Sequence, residues 1–313
     1  MRRVIVLFLI VICFSVSSGF AGIEITTDND SETSLRDWLM GVKVGGVYFL
    51  SYQYDETRGD KSEFAVRRAY LTVKKSILPY LDSRITLDAS QDHEGDGEGD
   101  MEMRLKYAHA NFKLPDLQLL TKQQIEFGMV HNPWDDFEQS VNRYRMREKM
   151  FVERVGILNS ADFGVTYSAY LGGELDDDYN SKVNKKYAGR FGSFALGIYN
   201  GGGYHAEEEN TDKVFEGRLT LRPLAEAVPG LQVSGFVVNG KGNRAGHADN
   251  IPDWKTFLGM ISYETAVGTF SAQYLTGEGN QSGSRTTFSD PTEAASYECY
   301  SLFGELKFGP HWR

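Results

Sequence analysis

The feature that most limits what this chain can fold into is a two-residue period in polarity. Phe215, Gly217, Leu219 and Leu221 alternate with Glu216, Arg218, Thr220 and Arg222. Successive side chains of a β-strand point to opposite faces, so this segment makes one apolar and one polar face as a strand, and neither as a helix. Ala69, Leu71 and Val73 alternate with Arg68, Tyr70, Thr72 and Lys74, and Ile85 and Leu87 with Arg84, Thr86 and Asp88. The same reading marks strands from residue 40 and at 104–113, 124–130, 162–171, 190–199, 231–238, 257–264, 269–276 and 297–308. That makes twelve strands and no long amphipathic helix.

The connections differ in length by turns. Those after odd-numbered strands are long and polar: 55–63, 90–101, 131–160, 200–213, 239–256 and 277–296. Those after even-numbered strands are mostly short, as at Ile77-Leu78-Pro79-Tyr80 and 265–268. Long loops at one end and tight turns at the other distinguish an outer-membrane barrel from a sandwich. The connection 172–189 is long where a short turn is due.

The amino terminus gives the compartment. Arg2 and Arg3 precede an apolar run from Val4 to Val16, and Gly19-Phe20-Ala21 has the small-x-small form of a signal-peptidase site. Residues 1–21 are therefore expected to be a cleaved signal peptide, 22–39 a polar periplasmic segment, and 40–313 the barrel domain. Cleavage leaves Cys299 as the only cysteine, so no disulfide framework supports the fold. The formal charge is −10, more negative still without Arg2 and Arg3, and no basic block is present, which excludes nucleic acid as a partner. The chain has 33 Gly, 17 Tyr and 19 Phe against 8 Pro, a composition that suits aromatic girdles around a wet interior. The fold class expected is all-β, an antiparallel up-and-down transmembrane β-barrel.

Several segments resemble the phosphate-selective porin O and P family. They are Val66-Arg67-Arg68-Ala69-Tyr70-Leu71-Thr72-Val73, Ile125-Glu126-Phe127-Gly128 leading into Asn132-Pro133-Trp134, and Ala161-Asp162-Phe163-Gly164-Val165. Phe194-Ala195-Leu196-Gly197-Ile198-Tyr199-Asn200-Gly201 and Gly217-Arg218-Leu219-Thr220-Leu221-Arg222-Pro223 are similar to later stretches of the family. The resemblance implies sixteen strands, a homotrimer in lipid and lipopolysaccharide, and diffusion of small polar or anionic solutes. Twelve strands ending at Pro310-His311-Trp312-Arg313 depart from that pattern. Two explanations stand open, a truncated sixteen-stranded chain and a native twelve-stranded barrel.

The site residues expected are cationic. The loop 131–160 carries Arg143, Arg145 and Arg147, and by the resemblance it folds inward to narrow the channel. With Arg68, Arg84, Arg218 and Arg222 on polar strand faces it would form an anion-attracting path. The competing reading pairs the loop arginines with Asp135, Asp136, Glu138, Glu148 and Glu153 of the same loop. The acidic stretch 91–100 lacks the ligand spacing and distal Glu of a calcium loop and is read as a solvated extracellular loop. No Gly-x-Ser-x-Gly element is present. His93, His131, His205, His247 and His311 fall in loops or turns, and His109 falls on a polar strand face. From this the chain is expected not to be an enzyme and to need no cofactor or metal. A non-transporting adhesin or structural barrel, or an outer-membrane lipase, is the alternative to a porin.

Overall fold

The computed structural model describes residues 40–55, 61–91, 99–145, 149–246 and 250–308. The expected signal peptide and periplasmic segment, Arg147, most of the acidic stretch, His93, His247 and the last five residues lie outside the described residues. The chain is all-β and antiparallel, and its described residues form twelve strands ordered in the sheet as they are in sequence. The structure comprises two compact units, divided after Ala108.

The first unit holds β1 (Lys43–Asp55), β2 (Lys61–Leu78), β3 (Leu81–Gln91) and the first part of β4 (Met101–Lys113). Pro79-Tyr80 forms the turn between β2 and β3, and Thr72 and Thr86 hydrogen-bond across that pair at 2.9 Å. Val44, Leu50, Leu71, Ile85, Met103 and Leu105 are exposed, whereas Thr86, Asp88 and Lys106 are buried. Adjacent Lys106 and Tyr107 are both buried, which breaks the alternation within β4.

The second unit holds the rest of β4, then β5 (Leu120–His131), β6 (Ala161–Leu171), β7 (Gly192–Tyr199) and β8 (Val214–Leu221). It continues through β9 (Leu231–Lys241), β10 (Asp253–Glu264), β11 (Gly268–Glu278) and β12 (Ser296–Leu306). The tight turn after β10 is held by Thr265, whose Oγ1 accepts from Gly268 N at 3.1 Å. Gly164 faces Tyr199 across β6 and β7, and a Cβ there would lie 2.3 Å from Ile198 O. Its bare backbone lets the Tyr199 ring lie close enough for the hydroxyl to meet Thr166 Oγ1 at 2.7 Å.

Burial in this unit runs inside out. Leu219, Leu221, Val233, Val237, Phe257, Ile261 and Phe270 are exposed, and their neighbours Glu216, Arg218, Thr220, Gln232, Ser234, Ser262, Glu264 and Ser271 are buried. A soluble sheet would place these sets the other way round. Apolar side chains facing outward from a sheet whose backbone groups are paired are stable only against lipid, which defines a transmembrane β-barrel wall. Among the described residues no helix is long and apolar enough to cross a membrane, so spanning rests on the strands.

Candidate functional site

The inner face of the second unit has two zones. Toward the long-loop ends lie Phe236 and Val238 of β9, Trp254, Leu258 and Met260 of β10, and Leu275 of β11, all buried and apolar. Toward the short-turn ends of these strands lie Gln232, Ser234, Ser262, Glu264, Thr269 and Ser271, all buried and polar. Each zone is covered by a different segment.

The loop 131–160 covers the apolar zone. It contains α1 (Asp135–Val141) and α2 (Phe151–Arg154). Trp134, Phe137, Val141, Phe151, Val152, Ile157 and Leu158 form one buried cluster with the inward apolar residues of β9, β10 and β11. Asn132 closes the neck of the loop. Its Oδ1 accepts from Trp134 N and Asp135 N, and its Nδ2 donates to Asn159 O at 2.6 Å. Buried Glu138 lies at the centre, accepting from Trp134 Nε1 at 3.0 Å, Phe151 N at 3.1 Å and Gln273 Nε2 at 2.9 Å. Burial pushes its carboxyl above the ordinary carboxylate value, against the opposite pull of those bonds and of the Arg154 charge.

The connection between β6 and β7 reaches the polar zone from the other end of β6. Asp176 caps its helix, α3 (Asp177–Lys182), by accepting from Tyr179 N. Asn184 Nδ2 donates to Glu264 Oε2 at 3.0 Å and to Ser140 O at 2.9 Å, and Gln232 Nε2 donates to Glu264 Oε1 at 3.0 Å. Tyr187 donates to Asp136 Oδ2 at 2.8 Å and packs edge-on against Phe137. The two segments therefore meet inside the wall. This explains the length of 172–189: it is a second inward segment rather than an overgrown turn.

The expected arginine path is redistributed by this packing. Arg218 is buried beneath both segments, donating from Nε to Pro133 O at 2.8 Å and from Nη1 to Ser193 and Thr220. Its guanidinium lies 4.4 Å from the Phe137 ring centroid and 4.9 Å from that of Tyr187. Arg222 is also buried, donating to Gly189 O, Pro229 O, Tyr187 O and the Tyr179 hydroxyl. These two side chains fasten the inward segments instead of facing a solute. Arg145 pairs with Glu153 of the same loop at 2.6 Å, the competing pattern from the sequence, and Arg143 donates to Val183 O. In the first unit Arg68 donates to the Tyr70 hydroxyl at 3.1 Å. Arg84 donates to Thr86 Oγ1 and lies 4.6 Å from the Tyr107 ring centroid. Both are half-buried.

The expectation that the chain is not an enzyme needs correction. It rested on histidines scattered among loops and faces, yet His131 is the last residue of β5 and two histidines converge on one carboxylate. His109 Nε2 lies 3.5 Å from Glu126 Oε1, and His131 Nδ1 lies 3.7 Å from Glu126 Oε2. Two imidazoles on a shared carboxylate are equipped for proton transfer or metal binding, so the exclusion is withdrawn. The pairing of β4 with β5 that brings these side chains together is invisible in a linear reading of the histidines.

The class this arrangement defines is a transmembrane β-barrel wall with inward-folded segments. No protein-family model matches the chain, and no curated protein matches it. Among solved structures it is similar to OmpTdeltaL8, a loop L8 deletion mutant of OmpT, an outer membrane protein of Vibrio cholerae. The identity is 11%, over 86% of this chain and 78% of that one, with a TM-score of 0.45. The fold assignment itself rests on the strand order and the inverted burial.

Proposed function

We propose that this chain is an outer-membrane diffusion channel for small hydrophilic solutes, with a preference for anions, of the kind found in the phosphate-selective porin O and P family. The observation that carries the reading is the inverted wall: outward Leu219, Phe257 and Ile261 against inward Glu216, Arg218, Ser234 and Glu264. A lipid-facing wall with a polar interior and a loop packed inside it makes a restricted aqueous path. Anion preference is assigned to Arg68 and Arg84, whose half-buried guanidiniums keep partial access to water. Arg218 and Arg222 are excluded from that role because their donors serve the inward segments.

The test is reconstitution of the chain in planar bilayers and in liposomes. Stepwise conductance, swelling in small sugars, and a reversal potential that favours chloride are expected. In the Arg68→Glu/Arg84→Glu double variant the reversal potential should move toward cation preference. Bilayers that stay electrically silent while the protein is inserted would remove the channel reading. An unmoved reversal potential would remove the arginine assignment alone.

A further inference from the structure

We propose that His109, Glu126 and His131 form a binding site for a first-row transition-metal dication of the zinc class, at the root of the loop 131–160. The inference is independent of the channel reading.

The three ligand atoms lie within 4.8 Å of one another. The two separations involving Glu126, 3.5 and 3.7 Å, are close to the ~3.3 Å between donors of a tetrahedral centre with bonds of about 2.0–2.1 Å. Two imidazoles and one carboxylate are ligands of borderline softness, which suits zinc, cobalt or nickel better than the all-oxygen shell of calcium or magnesium. Three protein ligands also leave a coordination position for water or a solute anion.

Orientation supplies the second argument. His109 Nδ1 lies 3.3 Å from Met129 O. A carbonyl accepts and cannot donate, so Nδ1 carries a proton, and when the ring is neutral its Nε2 lone pair faces Glu126. A lone pair facing a carboxylate oxygen is repulsive unless a proton or a cation lies between them. A backbone carbonyl that fixes the tautomer of a metal-ligating histidine is the usual outer contact of such sites. His109 is buried, and the His109 and His131 rings meet edge-on, 5.6 Å apart at 65°.

The location gives the site a consequence. Asn132, the residue after His131, holds the neck of the loop. A bound metal ties the end of β5 to β4 directly beneath the inward segment.

The full chain, refolded in detergent and stripped with a chelator, is titrated with Co²⁺ and then Zn²⁺. One equivalent of Co²⁺ with visible tetrahedral absorption bands, displaced by Zn²⁺, is expected. His109→Gln, Glu126→Gln and His131→Gln should each weaken binding by at least about 100-fold, whereas His205→Gln should leave it unchanged. Where a variant does not refold, X-ray absorption of the Zn²⁺-loaded native chain decides: two imidazole ligands support the site, and none or one overturns it. No saturable binding by the native chain also overturns the proposal, in favour of a protonated His109 paired with Glu126. Binding that survives the His109→Gln/His131→Gln double variant overturns it as well.

Discussion

Arg218 Nε donates to Pro133 O at 2.8 Å, joining a strand of the wall to the first turn of the loop 131–160 across 85 residues of sequence. The same guanidinium stacks on Phe137 of that loop and on Tyr187 of the β6–β7 connection. One side chain therefore holds both inward segments.

Replacing it should loosen both together. In Arg218→Met the carbonyl of Pro133 and the hydroxyls of Ser193 and Thr220 lose their donor, a cost of about 3 kcal/mol after the methionine recovers some packing. Arg218→Lys should recover less than half of this, because an ammonium has neither the planar fork nor the flat stacking surface. Thermal melts in detergent measure the loss. Limited proteolysis should cut within both 131–160 and 172–189; cleavage confined to one would show that Arg218 does not couple them.

The apolar zone sets how firmly the loop is seated. Leu258 is fully buried between the wall and the loop, so Leu258→Ala should cost about 2–5 kcal/mol through lost contact and the cavity left behind. The outward neighbour Phe257 provides the contrast. Phe257→Ala should leave the loop resistant to protease, and equal sensitivity in the two variants would contradict the face assignment.

The lipid face can be tested separately. Ile261 points outward in the second half of β10, and Ile261→Arg should reduce stability in bilayers by about 2 kcal/mol. In a soluble protein the same change on an exposed residue would be nearly neutral. Folding titrations in lipid vesicles distinguish the two outcomes.

Glu138 makes the seating of the loop sensitive to pH. Its folded-state affinity for a proton exceeds that of the unfolded chain because burial raises its pKa. The folded state therefore binds more protons between the two values, and stability falls as pH rises through that window. The contribution is fullest below the ordinary carboxylate range and levels off above the raised value. Trp134, hydrogen-bonded to Glu138, should report the change by fluorescence. Glu138→Gln should flatten the profile, and an unchanged slope would assign the effect elsewhere.

The sequence shows which face of a strand is apolar, but not what lies against it. Phe215, Leu219 and Leu221 alternate as clearly in sequence as they do in space. Phe236, Leu258 and Met260 occupy the inward phase although they are apolar, and only the loop that covers them explains it. Period two fixes parity, and tertiary packing decides whether an inward position is wet or dry. The same gap hid the fate of Arg218 and Arg222, whose charge suggested solute contact while their partners lie in segments far away in sequence. His109 and His131 were separable in sequence and adjacent in space for a related reason. Two residues on neighbouring strands meet through register, which composition does not encode.

The meeting of the two inward segments constrains how this wall can vary. They leave opposite ends of β6, yet Asn184 bonds Ser140 and Tyr187 bonds Asp136. An insertion or deletion in one therefore misplaces the other, although the two enter the wall from opposite rims. Changes in length at one rim of the wall and changes at the other fall on a single shared joint, so the two lengths are expected to change as a pair over evolutionary time.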